Sequence, residues 1–144
     1  MTLFHCLVLA AFLPLVGVAQ EAGIAPVAAS DVVLADLLYL KRPVVVFANN
    51  PNDPNFLHQI EFLTRGASDL AARDVEVITD TDPATPSTWR LWLRPNGFLL
   101  VLLDKDGSIT QRKPLPWDVR EITRAIDKSP LARVEALEKH PAGR

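Results

Sequence analysis

The chain has 144 residues, with fifteen Lys and Arg against seventeen Asp and Glu, a net charge of −2 and a single cysteine. That length holds one domain, with a core large enough to stand without disulfides. There is no basic excess of the kind that suggests nucleic acid, and no acidic run of the kind that suggests disorder.

Residues Met1 to Val18 carry no Lys, Arg, Asp or Glu, and Leu7 to Val18 is apolar apart from Pro14 and Gly17. Gly17-Val18-Ala19 places small residues where a signal peptidase reads, so residues 1–19 read as a signal peptide cleaved after Ala19. The run is shorter than the ~20 residues that cross a bilayer. An uncleaved anchor is the alternative. The expected location is the periplasm or the outside of the cell, with no membrane span after cleavage. Cys6 leaves with the signal, so the exported part has no thiol in a compartment that permits disulfides.

Residues 20–29 are rich in Ala, Gly and Pro and read as a flexible leader. The expected domain is 30–130. Ser30 is expected to cap a short helix through Leu40, with Val33, Leu34, Leu37 and Leu38 on its apolar face and Arg42-Pro43 as its stop. Val44–Ala48 is an unbroken apolar, β-branched run, as in a strand buried on both faces. Asn49–Asp53 is a loop. Asp53-Pro54 then starts a helix to about Ala72, with Phe56, Ile60, Leu63, Ala67 and Leu70 inward and a break expected at Gly66. Val75–Thr79 is the second strand and Asp80–Pro86 a polar loop. Thr85 or Ser87 caps a short helix carrying Trp89, Leu91 and Trp92. Phe98–Leu103 is the third strand, Asp104–Gly107 a turn, and Ser108–Arg112 an edge strand closing a hairpin. Trp117 or Asp118 opens a last helix with Val119, Ile122, Ala125 and Ile126 inward. Residues 131–144 are the C-terminal tail, helical from Leu131 to Lys139 with a thin stripe of Leu131, Val134 and Leu137.

The order is β-α-β-α-β-β-α, with a short N-terminal helix and a C-terminal helical tail. Strands joined through a long helix are parallel with a right-handed crossover, and the final hairpin adds antiparallel pairing. The fold class is therefore α/β: a thioredoxin-like, four-stranded mixed sheet flanked by helices.

Several of these segments together resemble a family. They are Arg42–Ala48, Gln59, Leu70–Val77, Gly97-Phe98, Lys105-Asp-Gly107 and Ile126–Pro130, followed by Arg133 and Glu135. The ordered set is similar to the domain of unknown function 4174. The resemblance covers Asp31 to about Glu135. It implies a short exported bacterial protein with a thioredoxin-like fold related to peroxiredoxins, and it implies no established activity. A similar domain occurs in animal extracellular matrix proteins of the sushi-repeat group. The chain departs from the family pattern at Asp104, where Gly is usual, and at Thr110, where Lys is usual.

Thiol–disulfide chemistry needs a thiolate, which a helix start after the first strand would activate. That place holds Asn49, Asn50, Pro51, Asn52, Asp53 and Pro54, so neither oxidoreductase nor peroxidase activity is expected, and no cofactor is implied. Asp104-Lys-Asp-Gly fails as a calcium loop, because Leu102 and Lys113 would fall at ligand positions. It reads as a hairpin turn. The carboxylates of Thr79-Asp80-Thr81-Asp82 have no neighbouring base or nucleophile and read as a solvated loop. His58 and His140 assemble no metal set. Trp89, Trp92 and Trp117 read as packing residues. The best ligand edge is Asn49, Asn50, Asn52 and Asp53 with Arg94 and Asn96. Ligands of α/β sheets favour strand carboxyl ends, and the helix at Pro54 turns free amides there. The leading reading is a non-catalytic binding or adaptor module whose partner is a protein or a small molecule. The alternatives are an unrecognised enzyme using that edge and a protein that docks through its tail. Oligomeric state is left open.

Overall fold

The computed structural model describes residues 23–141. The expected signal peptide and its expected cleavage point, Cys6, residues 20–22 of the expected leader and residues 142–144 of the expected tail lie outside the described residues. The elements are β1 (Val27–Ala28), a 3-10 turn (Ala29–Asp31), α1 (Leu34–Leu37), β2 (Arg42–Phe47), α2 (Pro54–Arg65), α3 (Ala67–Ala71), β3 (Val75–Asp80), α4 (Thr88–Leu93), β4 (Leu99–Leu103), β5 (Ile109–Lys113), α5 (Val119–Asp127) and α6 (Pro130–Lys139). They build one sheet in the order β1-β3-β2-β4-β5. β1, β3 and β2 run parallel, whereas β4 and β5 are antiparallel to their neighbours.

The sheet has five strands rather than the expected four. The extra one, β1, comes from the expected leader and aligns Val27 with Ile78 and Ala28 with Thr79. Two residues carry no readable period, so only the neighbouring strand reveals them. The expected helix from Ser30 to Leu40 is also different. Its Ser30 hydroxyl bonds Asp31 Oδ1 at 3.1 Å instead of capping amides. The chain stays extended at Val32 and Val33, where the Val32 carbonyl accepts the Trp89 Nε1 proton at 2.8 Å. A long-range bond thus outweighs local helical preference, and only one turn, α1, remains.

The strand sequences explain the layers. β4 alternates between two cores: Leu100 and Leu102 point into one, and Leu99, Val101 and Leu103 into the other. Leu63, Leu70, Val119, Ile122 and Ile126 of α2, α3 and α5 cover the first face. Leu37 of α1 with Trp89 and Leu93 of α4 cover the second. Because β2 and β4 are buried on both faces, their sequences show no polar alternation.

β2 starts at Arg42 and takes Pro43 into the sheet, two residues before the apolar run. The Arg42 amide donates to the Asp74 carbonyl and the Ala48 amide to the Asp80 carbonyl. Even-numbered amides of β2 therefore face β3, and Pro43 faces β4, whose pairing begins only at Val44. No ladder donor is lost there. The long helix does break at Gly66, giving α2 and α3. Gly107, at φ +83°, makes the β4–β5 turn. Asp118 and Ser129 cap α5 and α6 through the amides of Arg120 and Ala132.

Candidate functional site

The three parallel strands end together at Ala28, Asp80 and Phe47. Asp80 and Arg90 are both buried there. Ser87 caps α4 by accepting the Arg90 amide, which turns the Arg90 side chain under the strand ends. Arg90 Nε and Nη2 reach Asp80 Oδ1 at 3.1 and 2.9 Å. Nη2 also donates to the Ala48 and Asp80 carbonyls, and the guanidinium lies 5.4 Å from the Phe47 ring centroid. The second carboxylate oxygen of Asp80 accepts the Ser87 hydroxyl at 2.6 Å. Burial pushes the Asp80 carboxyl up. Arg90, the Ser87 hydroxyl and the Asp82 amide outweigh it and hold the group below the ordinary carboxylate value. Asp80 is thus a satisfied structural anion, and its pair with Arg90 fixes how β2 and β3 leave the sheet.

A cavity of about 280 Å³ opens beside this pair, on the β1 side. Ala28, Ser30, Thr79, Thr81, Asp82 and Thr85 line most of it. Asp82 Oδ1 is taken by the amides of Ala84 and Thr85, at 3.1 and 3.3 Å, which shapes the loop that walls the cavity. Its lining mixes the methyl groups of Ala28 and Ala29 with hydroxyl side chains, the buried Asp80 and the exposed Asp82. Of the Thr79–Asp82 segment expected to be a solvated loop, Asp82 is exposed whereas Asp80 is buried against Arg90, and the segment also walls the cavity. Its other walls are Ser87, just beyond the loop, and Ala28, Ala29 and Ser30, which are distant in the sequence.

The pairing of Phe47 with Leu99 brings the Asn49–Asp53 loop and the Arg94–Asn96 segment to one sheet edge. Asn49, Asn50, Asn52, Arg94 and Asn96 are exposed and Asp53 is half-buried. None of the six lines the 280 Å³ cavity. The first-turn amides of α2 are already used. Asp53 Oδ1 accepts from Asn55 and Phe56 at 2.8 and 3.3 Å, the Asp53 carbonyl accepts from Leu57, and Pro54 has no proton to give. Asn50 Oδ1 takes the Asn52 amide at 2.9 Å. Arg94 ends α4 in the left-handed region, at φ 49°.

The remaining motifs resolve into structure. Asp104 is buried against Arg42 at 3.0 Å, and Asp106 Oδ1 bonds the Ser108 amide and hydroxyl within the turn. His58 packs on Phe62, with ring centroids 4.3 Å apart, and His140 ends α6. Trp89 is buried, Trp92 is half exposed beside it, and Trp117 lies under Lys113 Nζ. Among the described residues no three His, Cys, Asp or Glu side chains group as metal ligands, and no helix is long and apolar enough to cross a membrane.

The family model described as "Domain of unknown function (DUF4174)" matches residues 33–135. The chain belongs to this family. The matched span of the DUF4174 domain runs from just before α1 into α6 and so includes all but the first strand of the sheet. No curated protein matches the chain. Two solved structures are similar to it. One is Plasmodium yoelii Prx1a modified at the N-terminus, at 18% identity and a TM-score of 0.53 over 78% of this chain and 84% of that one. The other is Plasmodium yoelii thioredoxin peroxidase I, at 19% identity and a TM-score of 0.50 over 78% and 83%. The likeness shows that the DUF4174 domain here has the peroxiredoxin and thioredoxin-like fold.

Proposed function

We propose that this DUF4174 protein is an exported binding module, periplasmic or secreted, that performs no thiol–disulfide or peroxidase chemistry. One observation carries the reading. At the start of α2, where the fold would place an activated thiolate, the chain holds a carboxylate, and Asp53 consumes the amides that would lower a thiol pKa. The sequence has one cysteine, Cys6, in the segment read as a signal. Strand carboxyl ends are the usual ligand edge of an α/β sheet. The cavity at Thr79–Ser87 lies there, and its hydroxyls and Asp82 suit a small polar ligand that donates hydrogen bonds. The Asn49–Asp53 loop with Arg94 and Asn96, which does not line the cavity, is the second candidate ligand edge of this reading.

The test is native mass spectrometry of the full chain expressed in a Gram-negative host and recovered from the periplasm. The expected mass is that of residues 20–144 with a retained small molecule, lost when Thr81→Phe fills the cavity. A full-length chain in the cytoplasm would overturn export. A ligand unaffected by Thr81→Phe would overturn the site, and turnover of a disulfide or peroxide by the purified chain would overturn the non-redox reading.

A further inference from the structure

At the sheet end opposite the cavity, charged side chains from several elements converge on one carboxylate. Arg42 opens β2 and is only 2% exposed. Its Nε reaches Asp104 Oδ1 at 3.0 Å, Nη1 donates to the Arg73 carbonyl at 3.1 Å, and Nη2 reaches Glu135 Oε2 at 3.0 Å. Lys105 Nζ stands 2.8 Å from Asp74 Oδ2 and 2.9 Å from Glu135 Oε1. Each oxygen of Glu135 therefore has its own cation. Burial pushes the Glu135 carboxyl up, but Lys105 and Arg42 outweigh it and hold the group below its ordinary value.

The two sides of this contact are unequal. Arg42 and Lys105 are positioned without Glu135: Asp104 and the Arg73 carbonyl orient the first, Asp74 the second. Glu135, by contrast, sits on α6, none of whose residues is buried. Val134 and Leu137 of α6 face outward, Leu137 at 62% exposure. A helix of ten residues is not stable by itself, so its seat on the domain must hold it. Among the described residues Glu135 is the one α6 side chain ion-paired to the rest of the domain. A cavity of about 200 Å³, lined in part by Arg42, Arg73, Asp74, Asp127 and Lys139, remains under the helix.

We propose that Arg42 and Lys105 form a prebuilt carboxylate-binding socket that α6 fills in cis, with Glu135 as a displaceable plug. Vacated by Glu135, the socket takes the carboxylate of another molecule, for which acetate is the probe. This site is independent of the strand-end cavity and does not rest on it.

Glu135→Ala deletes from the side chain the two-carbon carboxylate that acetate supplies. The experiment is thermal melting of the full chain at neutral pH in acetate or chloride of equal ionic strength. The variant is expected to melt below the wild type and to recover most of the loss in acetate, saturably, but not in chloride. Neither the wild type nor the Glu135→Ala, Lys105→Met double variant should distinguish the two salts. Acetate and chloride acting alike on Glu135→Ala would overturn the socket. Should Glu135→Ala not fold, Glu135→Gln keeps the size of the side chain and is read by hydrogen exchange. Loss of a charged hydrogen bond predicts α6 amides exchanging about tenfold faster while α5 is unchanged. Both helices quickening together, or neither, would overturn the plug.

Discussion

Gln59 and Trp117, 58 residues apart, are joined by a pair of reciprocal hydrogen bonds: Gln59 Nε2 donates to the Trp117 carbonyl at 2.9 Å and Gln59 Oε1 accepts the Trp117 amide at 2.7 Å. Gln59 is fully buried on α2, and the peptide it clamps lies in the connection from β5 to α5. A side-chain amide here imitates the ladder partner that an irregular segment lacks, so the connection can cross the edge of the core with its backbone satisfied. Gln59→Leu keeps the volume and removes both partners. The expected cost is about 1–3 kcal/mol, read as a lower urea midpoint with an unchanged slope. A midpoint equal to that of the wild type would mean that water reaches the Trp117 peptide.

Gly66 owes its place to Val119. A β-carbon at position 66 would lie 2.5 Å from Val119 Cγ1, closer than such atoms approach. The backbone itself, at φ −98° and ψ 18°, would accept another residue, so the constraint is the neighbour. Gly66→Ala is expected to destabilise by about 1–3 kcal/mol through overpacking, against its small gain in helix propensity. Val119→Ala added to it should return part of that loss, giving a non-additive cycle in denaturant melts. Strict additivity would sink the explanation.

The Asp80–Arg90 pair makes a different forecast. Both groups are buried, and each oxygen of Asp80 is engaged. Removing one partner of such a pair leaves an uncompensated buried charge, so Arg90→Met should cost about 3–5 kcal/mol. Asp80→Asn in the same chain removes that charge and should recover a large share. The readout is again equilibrium unfolding, with hydrogen exchange at the Ala48 amide as the local reporter. A double variant no better than Arg90→Met would show that the bonds from Arg90 to the Ala48 and Asp80 carbonyls matter more than the ion pair.

How far the sequence could be read depended on how local each cause was. Val44–Ala48 and Phe98–Leu103 declare their burial on both faces by lacking polar residues, and Asp53-Pro54 declares a helix start through its own cap. The break at Gly66 was legible in the same way, although its reason, Val119, was not. Arg42-Pro43 looked like a helix stop because a residue before proline disfavours helical backbone, and nothing local placed the charge in a central strand. What allows it there is Asp104 and Glu135, 62 and 93 residues away. Asp104, read as a turn residue, is held by the same contact: its carboxylate meets the Arg42 guanidinium. The cavity stayed hidden for a similar reason. Nothing in Thr79–Asp82 shows a cavity until a two-residue strand from far earlier in the chain is folded beside it.

Acid should weaken the fold through several of these groups at once. Asp80 and Glu135 are held below their ordinary values because their cationic partners outweigh burial. Asp127 and Asp74 are lowered first by their bonds to Arg73 and Lys105, against a smaller effect of burial. A carboxyl with a lower pKa in the folded chain than in the unfolded one stabilises the fold above its unfolded value. That contribution is lost as pH falls through the folded value. Unfolded carboxyls titrate at about 3.9 to 4.3, so urea midpoints from these groups should be level between neutrality and about pH 5 and fall below about pH 4. Glu135→Gln should make the fall shallower, because one of the protons taken up on unfolding is gone. Lys105 behaves oppositely. Burial lowers it, Asp74 and Glu135 raise it further, and the net rise means its contribution disappears only in strong alkali. A midpoint that rises on acidification would show that these pairs contribute nothing to the stability of the domain.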